Sequence, residues 1–250
     1  VTLLSGGGLW SVSTNALATD CLILDNAAFF GGGAFRVSLE RCTVQNNFAQ
    51  LDGGGVCSNL VQNSRIFTNT AVQNGGGAHG TRITASAISG NVAGTGGGAH
   101  RSELTHVTVV KNRGRFTGGG TTGCAHTNSI MWLNFVGSSL NNYSSPAGFR
   151  SSCSTALPPL GGNISLDPLL LADDIHLATN SPCRGAGLAV TAGPDIDGQP
   201  WNAPPSIGCD EWSPEPIAAP PTIHFDAWRR ARISARSEEH TSELQSRQVI

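Results

Sequence analysis

The chain has 250 residues, a formal net charge of -2 and only 13% charged residues, so neither nucleic acid nor an anionic membrane is an expected partner. Its hydrophobic fraction of 39% argues against disorder throughout, and its 32 glycines suit a turn-rich all-β protein better than a helical one. No run of ~18 apolar residues occurs, so no membrane-spanning segment is expected.

The chain opens at Val1, not at a Met, in what reads as the end of a repeat unit, so the expectation is a repeat array cut at its N-terminus. A Gly-Gly-Gly triplet then begins at Gly6, Gly31, Gly53, Gly75, Gly96 and Gly118, at intervals of 21 to 25 residues. Asn26, Asn47, Asn69, Asn91 and Asn112 recur in the same phase. Three residues before each Asn stands Ile23, Val44, Ile66, Ile88 or Val109, and two before that Cys21, Cys42, Ser64, Ser86 or Val107. Leu39, Val61, Ile83 and Leu104 add one more apolar position upstream.

The apolar runs are too short for helices, and apolar-x-apolar alternation is strand-like. One such unit cannot bury its own inward face, but stacked units bury like against like at ~4.8 Å per rung. The triplet suits a corner with positive φ or close chain approach. The Asn column suits a second corner, where side-chain amides bond from rung to rung as a structural ladder. Leucine-rich repeats need more leucines, a calcium β-roll needs Asp-bearing nonapeptides, and collagen needs glycine at every third position. The predicted fold is all-β: a right-handed parallel β-helix, a single-stranded solenoid with rungs of about 22 residues and an irregular C-terminal cap. Rungs are expected over 1–143, a loop and cap over 144–212, and a Pro-rich, disordered linker over 213–235.

Trp10, Phe35, Cys57, His79, His100 and Thr122 share one rung position, two beyond the triplet. With Ala34, Val56, Ala78 and Ala99 pointing inward, this column points outward. Trp10, Phe35, His79 and His100 are therefore ligand-binding candidates, since such a stripe can stack on sugar rings. Two imidazoles could also hold a metal, but two ligands are too few for a secure site. The favoured reading is a side-chain ladder that stabilises the sheet. Asp195 and Asp197 are calcium candidates, with Asp210 and Glu211 nearby, because hard oxygen donors suit that ion. Asp195-x-Asp197-Gly198 also makes a good turn by itself, and that reading is preferred, so no metal and no cofactor is expected. Glycoside hydrolysis needs two carboxylates on one face. Asp20, Asp25, Glu40, Asp52 and Glu103 share no rung phase that pairs them, and Arg36 and Arg101 share a position without acids in phase. No catalytic residue is assigned.

The stretch Gly31 to Ala49, GGGA followed by CTVQNN-x-A, resembles rungs of bacterial extracellular β-helix proteins of the pectate-lyase-like and polymorphic-outer-membrane types. Asn128-Ser129-Ile130-Met131-Trp132-Leu133-Asn134 resembles the family's final rung. Gly162 to Leu169, His176-Leu177, Ser181 to Gly187, Asp195 to Gly198 and Ile207 to Trp212 resemble, in that order, the C-terminal cap of choice-of-anchor β-helix proteins. The resemblance implies a bacterial protein, secreted or at the cell surface; a monomer is expected. It also implies an acidic residue where Arg184 stands and a basic one near Pro200-Trp201, so a cap salt bridge is expected to be missing. It further suggests that Cys183 and Cys209 lie close enough to pair after export. Cys124 and Cys153, across the last rung and its loop, are a weaker second pair, and Cys21, Cys42 and Cys57 are expected to be free, Cys21 and Cys42 as small apolar groups at equivalent inward positions. Arg236 to Ser246 closely resembles a translated sequencing-library adapter, so 236–250 is set aside from fold reasoning.

The function expected from all this is a non-catalytic, adhesin-like or glycan-binding scaffold whose partner is a polysaccharide or another cell-surface component. The alternative is a fragment of a polysaccharide lyase or glycoside hydrolase whose active rungs are missing.

Overall fold

The computed structural model describes residues 5–13, 15–145, 148–156, 158, 161–190 and 193–213, all within one compact unit, Val1–Glu215. The linker from residue 214 onward and the 236–250 tail lie outside the described residues. The described residues contain no helix, and therefore none long and apolar enough to cross a membrane.

Short strands stack in parallel into a β-solenoid of about six turns, with rungs of about 22 residues. They form three sheets of six, twelve and seven strands, in which interior strands pair with the rungs before and after them, and the seven-stranded sheet ends in one antiparallel pairing, Phe135 with Leu140. Register is kept from rung to rung: Ala34 pairs with Val56, Val56 with Ala78, and Ala78 with Ala99. Parallel pairing continues past residue 143, through Phe149–Arg150 and Cys153–Ser154, before the chain enters the cap.

The corners set the cross-section. In the rung that begins at Gly53, the residues with positive φ are Gly53, Ser58, Asn63 and Thr68, at 68°, 58°, 46° and 55°. Left-handed residues of this kind recur every five positions, as Gly75, Gly80, Ala85 and Gly90, and then as Gly96, Arg101, His106 and Lys111. Between corners the chain is extended, and one apolar side chain per side points inward. Val56, Val61, Ile66 and Ala71 are all 0% exposed, as are Ala78, Ile83, Ile88 and Ala93 in the next rung. Each side therefore stacks its own column of like side chains; most columns join in one core along the solenoid, while Ala49, Ala71 and Ala93 form a small cluster of their own.

The triplet combines two demands. Its first glycine takes the positive φ, 63° at Gly75. Its second sits where backbones crowd: a Cβ on Gly54 would lie 2.4 Å from the carbonyl oxygen of Gly76, which no side chain can satisfy.

The Asn column closes another corner. The Asn47 side-chain amide donates to Asn69 Oδ1 at 2.9 Å, Asn69 to Asn91 at 3.0 Å, and Asn91 to Asn112 at 2.9 Å. Each oxygen also accepts the backbone N–H of the preceding Asn, as Asn69 Oδ1 does from Asn47 at 2.9 Å. Asn26 begins the ladder, and Asn134 and Asn142 extend it. These buried amides are therefore fully paired, as burial requires.

The cap does not sit on the end of the solenoid. It folds back along one outer side, over the column Arg65, Ala87, Thr108, Ile130 and Cys153. Ile207, Leu177 and Cys183 pack with Ile130 and Cys153, while Ile175, Ile196 and Cys209 pack with Ala87. The Thr108 hydroxyl accepts from Cys209 N at 3.1 Å. Asn128 exchanges two hydrogen bonds with the Leu188 backbone, at 2.7 and 2.8 Å. The apolar outward residues at Ile130 and Ala87 are thus covered by the chain's own return.

Candidate functional site

The six-stranded sheet is built from two-residue strands, so one residue per strand points in and the next points out. Parallel register aligns Trp10, Phe35, Cys57, His79, His100 and Thr122 as one outward column. Trp10 is 56% exposed, Phe35, His79 and His100 are half-buried, and Cys57 is buried. The His79 and His100 rings stack with centroids 5.1 Å apart, and their Nδ1 atoms are 3.2 Å apart. Burial lowers both pKa values, His100 to about 4, with the neighbouring His79 and Arg101 adding to the effect there. Both rings are therefore neutral near pH 7, each with one N–H donor and one bare nitrogen.

The next corner carries the charge. Arg36, Ser58, Gly80 and Arg101 follow one another at positive φ, directly beside the aromatic column. Ser58 and Gly80 are small, so two exposed arginines stand three rungs apart, roughly 14 Å at the solenoid repeat, with open space between them. That space is a groove of about 480 Å³, lined in part by Arg36, Asn59, Thr81, Arg82, Arg101 and Glu103. Arg82 is tied to Glu103 at 2.8 Å. Arg36 lies over the Phe35 ring at 6.0 Å. Groove and column together present an arginine-rich surface beside neutral rings, suited to a ligand with flat apolar faces and anionic substituents.

The cap holds a second polar cluster. His176 Nε2 lies 2.6 Å from Asp197 Oδ2, and its Nδ1 bonds Asp173. Asp197 reaches Arg65 of the solenoid at 3.9 Å. The bond to Asp197 raises the His176 pKa to about 9; burial opposes this and the bond to Asp173 reinforces it. Asp210 accepts from Leu177 N at 2.8 Å, and burial pushes its pKa up to about 6. His176, Asp197 and Asp210 bring three ligand atoms within 4.8 Å of one another. Both imidazole nitrogens are already held by carboxylates, however, so the protonated ring is itself the cation of this cluster.

The calcium candidates separate accordingly. Asp195 is 0% exposed and accepts from the backbone N–H groups of Asp197, Gln199 and Glu211, which is turn and strap chemistry. Asp197 serves His176 and Arg65. Arg184 stacks over Trp212 at 3.8 Å, and Trp201 packs on His106 with ring centroids 3.8 Å apart.

The suggested cysteine pairs are not brought together. All seven cysteines are thiols in this structure. Cys183 packs with Cys153 against Ile130, whereas Cys209 belongs to a different cluster, on Ala87. Cys124 lies in the internal core, where its sulfur accepts from Ser102 N at 3.4 Å. The reason is the return path of the cap. Residues 183 and 209 dock at successive points along the outer column instead of facing each other.

The shared rung position of Arg36 and Arg101 was readable in the sequence, but the groove between them was not, because nothing in Ser58 or Gly80 announces the left-handed corner they share with the arginines. No family model, no curated protein and no solved structure matches this chain.

Proposed function

We propose that this protein is a non-catalytic β-helix scaffold that binds a carboxylated or sulfated polysaccharide along the outer face formed by the aromatic column and the adjacent groove. The observation that carries the reading is the pairing of Arg36 and Arg101 across a groove of about 480 Å³ beside stacked, neutral His79 and His100. A polymer suits a site made by repetition, since every rung offers the same positions again. Among the groove-lining residues the one carboxylate is Glu103, and it is tied to Arg82. Glycoside hydrolysis uses two carboxylates, so this lining supports binding over cleavage.

Titration of the protein with a polyuronate and with a neutral glucan, by calorimetry at low salt, tests the reading. The polyuronate is expected to bind more tightly, and its affinity to fall as salt rises. Arg36→Gln together with Arg101→Gln is expected to weaken it by about 10-fold or more, as loss of charge-assisted hydrogen bonds implies. Equal binding by the double variant, or no preference for the charged polymer, contradicts it.

A further inference from the structure

We propose that Cys153 and Cys183 form a disulfide that fastens the cap to the last rung of the solenoid. Cys153 pairs in register with Ile130. Its side chain faces outward with Ile130, whereas the adjacent Met131 points into the internal core. Cys183 approaches from the cap, its position fixed on both sides: its N–H donates to Ser181 Oγ at 3.2 Å, and its carbonyl accepts from Ile207 N at 2.8 Å. Both residues are 0% exposed and share one apolar cluster with Ile130, Leu177 and Ile207. The Cys153 thiol donates to Leu166 O at 3.3 Å, and Cys183 is the neighbour that raises its pKa most strongly. Two sulfurs that meet from different layers, one on the rod and one on the cap, can approach to bonding distance without sliding one strand along another.

The other thiol contact lacks that freedom. Cys21 and Cys42 sit on successive rungs of one parallel ladder, where Thr43 N donates to Cys21 O at 2.8 Å. Their Cβ atoms point the same way about one rung, ~4.8 Å, apart, beyond the ~3.8 Å typical of a disulfide. Cys209 docks in a separate cluster.

The bond forms by thiol–disulfide exchange while the cap is still open, because burial in the folded state disfavours the attacking thiolate. One cysteine thiolate attacks the S–S bond of a small-molecule disulfide such as glutathione disulfide, forming a mixed disulfide and releasing one glutathione thiol. The second cysteine then attacks the protein sulfur of that mixed disulfide and releases the other glutathione. Two protein thiols lose two electrons and two protons, and one small-molecule disulfide becomes two thiols.

The chain's own sequence supplies the readout. Tryptic cleavage after Arg150 and Arg184 leaves one peptide, residues 151–184, that contains Cys153 and Cys183 and no other cysteine. The full chain is refolded in a glutathione redox buffer, blocked with an alkylating reagent without reduction, and digested. The expected 151–184 peptide is unlabelled and lighter by two hydrogens than its dithiol form. Adding a reductant to the refolded protein is expected to lower its melting temperature by roughly 5–10 °C. Cys209→Ser should keep that reductant-sensitive shift, and Cys153→Ser should lose it. Alkylation of both cysteines in folded protein from the redox buffer overturns the proposal. So does a cross-link from either one to a different peptide, or a reductant-sensitive shift that survives Cys153→Ser. If Cys153→Ser does not fold, the peptide mass of the unmodified chain decides alone.

Discussion

Asn69 shows how one side chain can hold three rungs. Its oxygen accepts from Asn47, and its amide donates to Asn91 and to the carbonyls of Val44 and Phe67. Asn69→Ala removes all of these and leaves buried partners unpaired, at an expected cost of ~1–3 kcal/mol in urea unfolding. A stability unchanged within error would contradict the ladder. His126 is 1% exposed, stacks on Phe149 at 4.0 Å and bonds Thr121 at 3.0 Å. Burial pushes its pKa down from 6.5 to about 3. With the folded-state value below the unfolded one, its contribution is complete above pH 6.5 and is lost as pH falls toward 3. His126→Gln is expected to flatten the acid side of the melting curve against pH, and an unchanged acid slope would count against a neutral buried ring.

The corner and the cap are the elements that decide what the outer faces do. The glycine triplets and the Asn column were legible in the sequence because each column keeps one residue type. The other corners were not, because a left-handed turn is taken by Arg36, Ser58, Gly80 and Arg101 alike. Their common feature is backbone conformation, which residue chemistry does not spell out. The motifs of the cap were likewise readable, but its path was not. A return along Ala87, Thr108 and Ile130 depends on contacts between residues far apart in the chain, such as Cys209 with Thr108. The same return places Cys183 and Cys209, the suggested pair, in separate apolar clusters. Docking by apolar burial makes Ile207, which is 0% exposed against Ile130, a sensitive point. Ile207→Ala is expected to cost about 2–5 kcal/mol, read by denaturant unfolding. A loss of a few tenths would mean that the cap contributes little to the stability of the solenoid.

For the whole molecule, the two sets of histidines set opposing slopes. His176 has a folded-state pKa raised from 6.5 to about 9, so its contribution is complete below pH 6.5 and fades as pH rises through 9. His106 and His126 act on the acid side, with pKa values lowered to about 4 and about 3. Stability is therefore expected to peak near pH 6.5, where both contributions are present. His176→Gln should lower the melting temperature at that pH and remove the decline toward 9; a decline that persists would contradict the doubly paired imidazolium.

The same architecture divides the outer surface. The cap covers one side, and the column of Trp10, Phe35, His79 and His100 with its neighbouring groove remains open on another. Hydrogen exchange with and without a bound polyuronate tests that division most directly. The expected result is slowed exchange confined to the rung segments 35–38, 57–60, 79–82 and 100–103, which carry the column and the groove. Protection centred on the cap segments 173–177 and 195–211, or no protection anywhere, would contradict the assignment of this face as the glycan-binding surface.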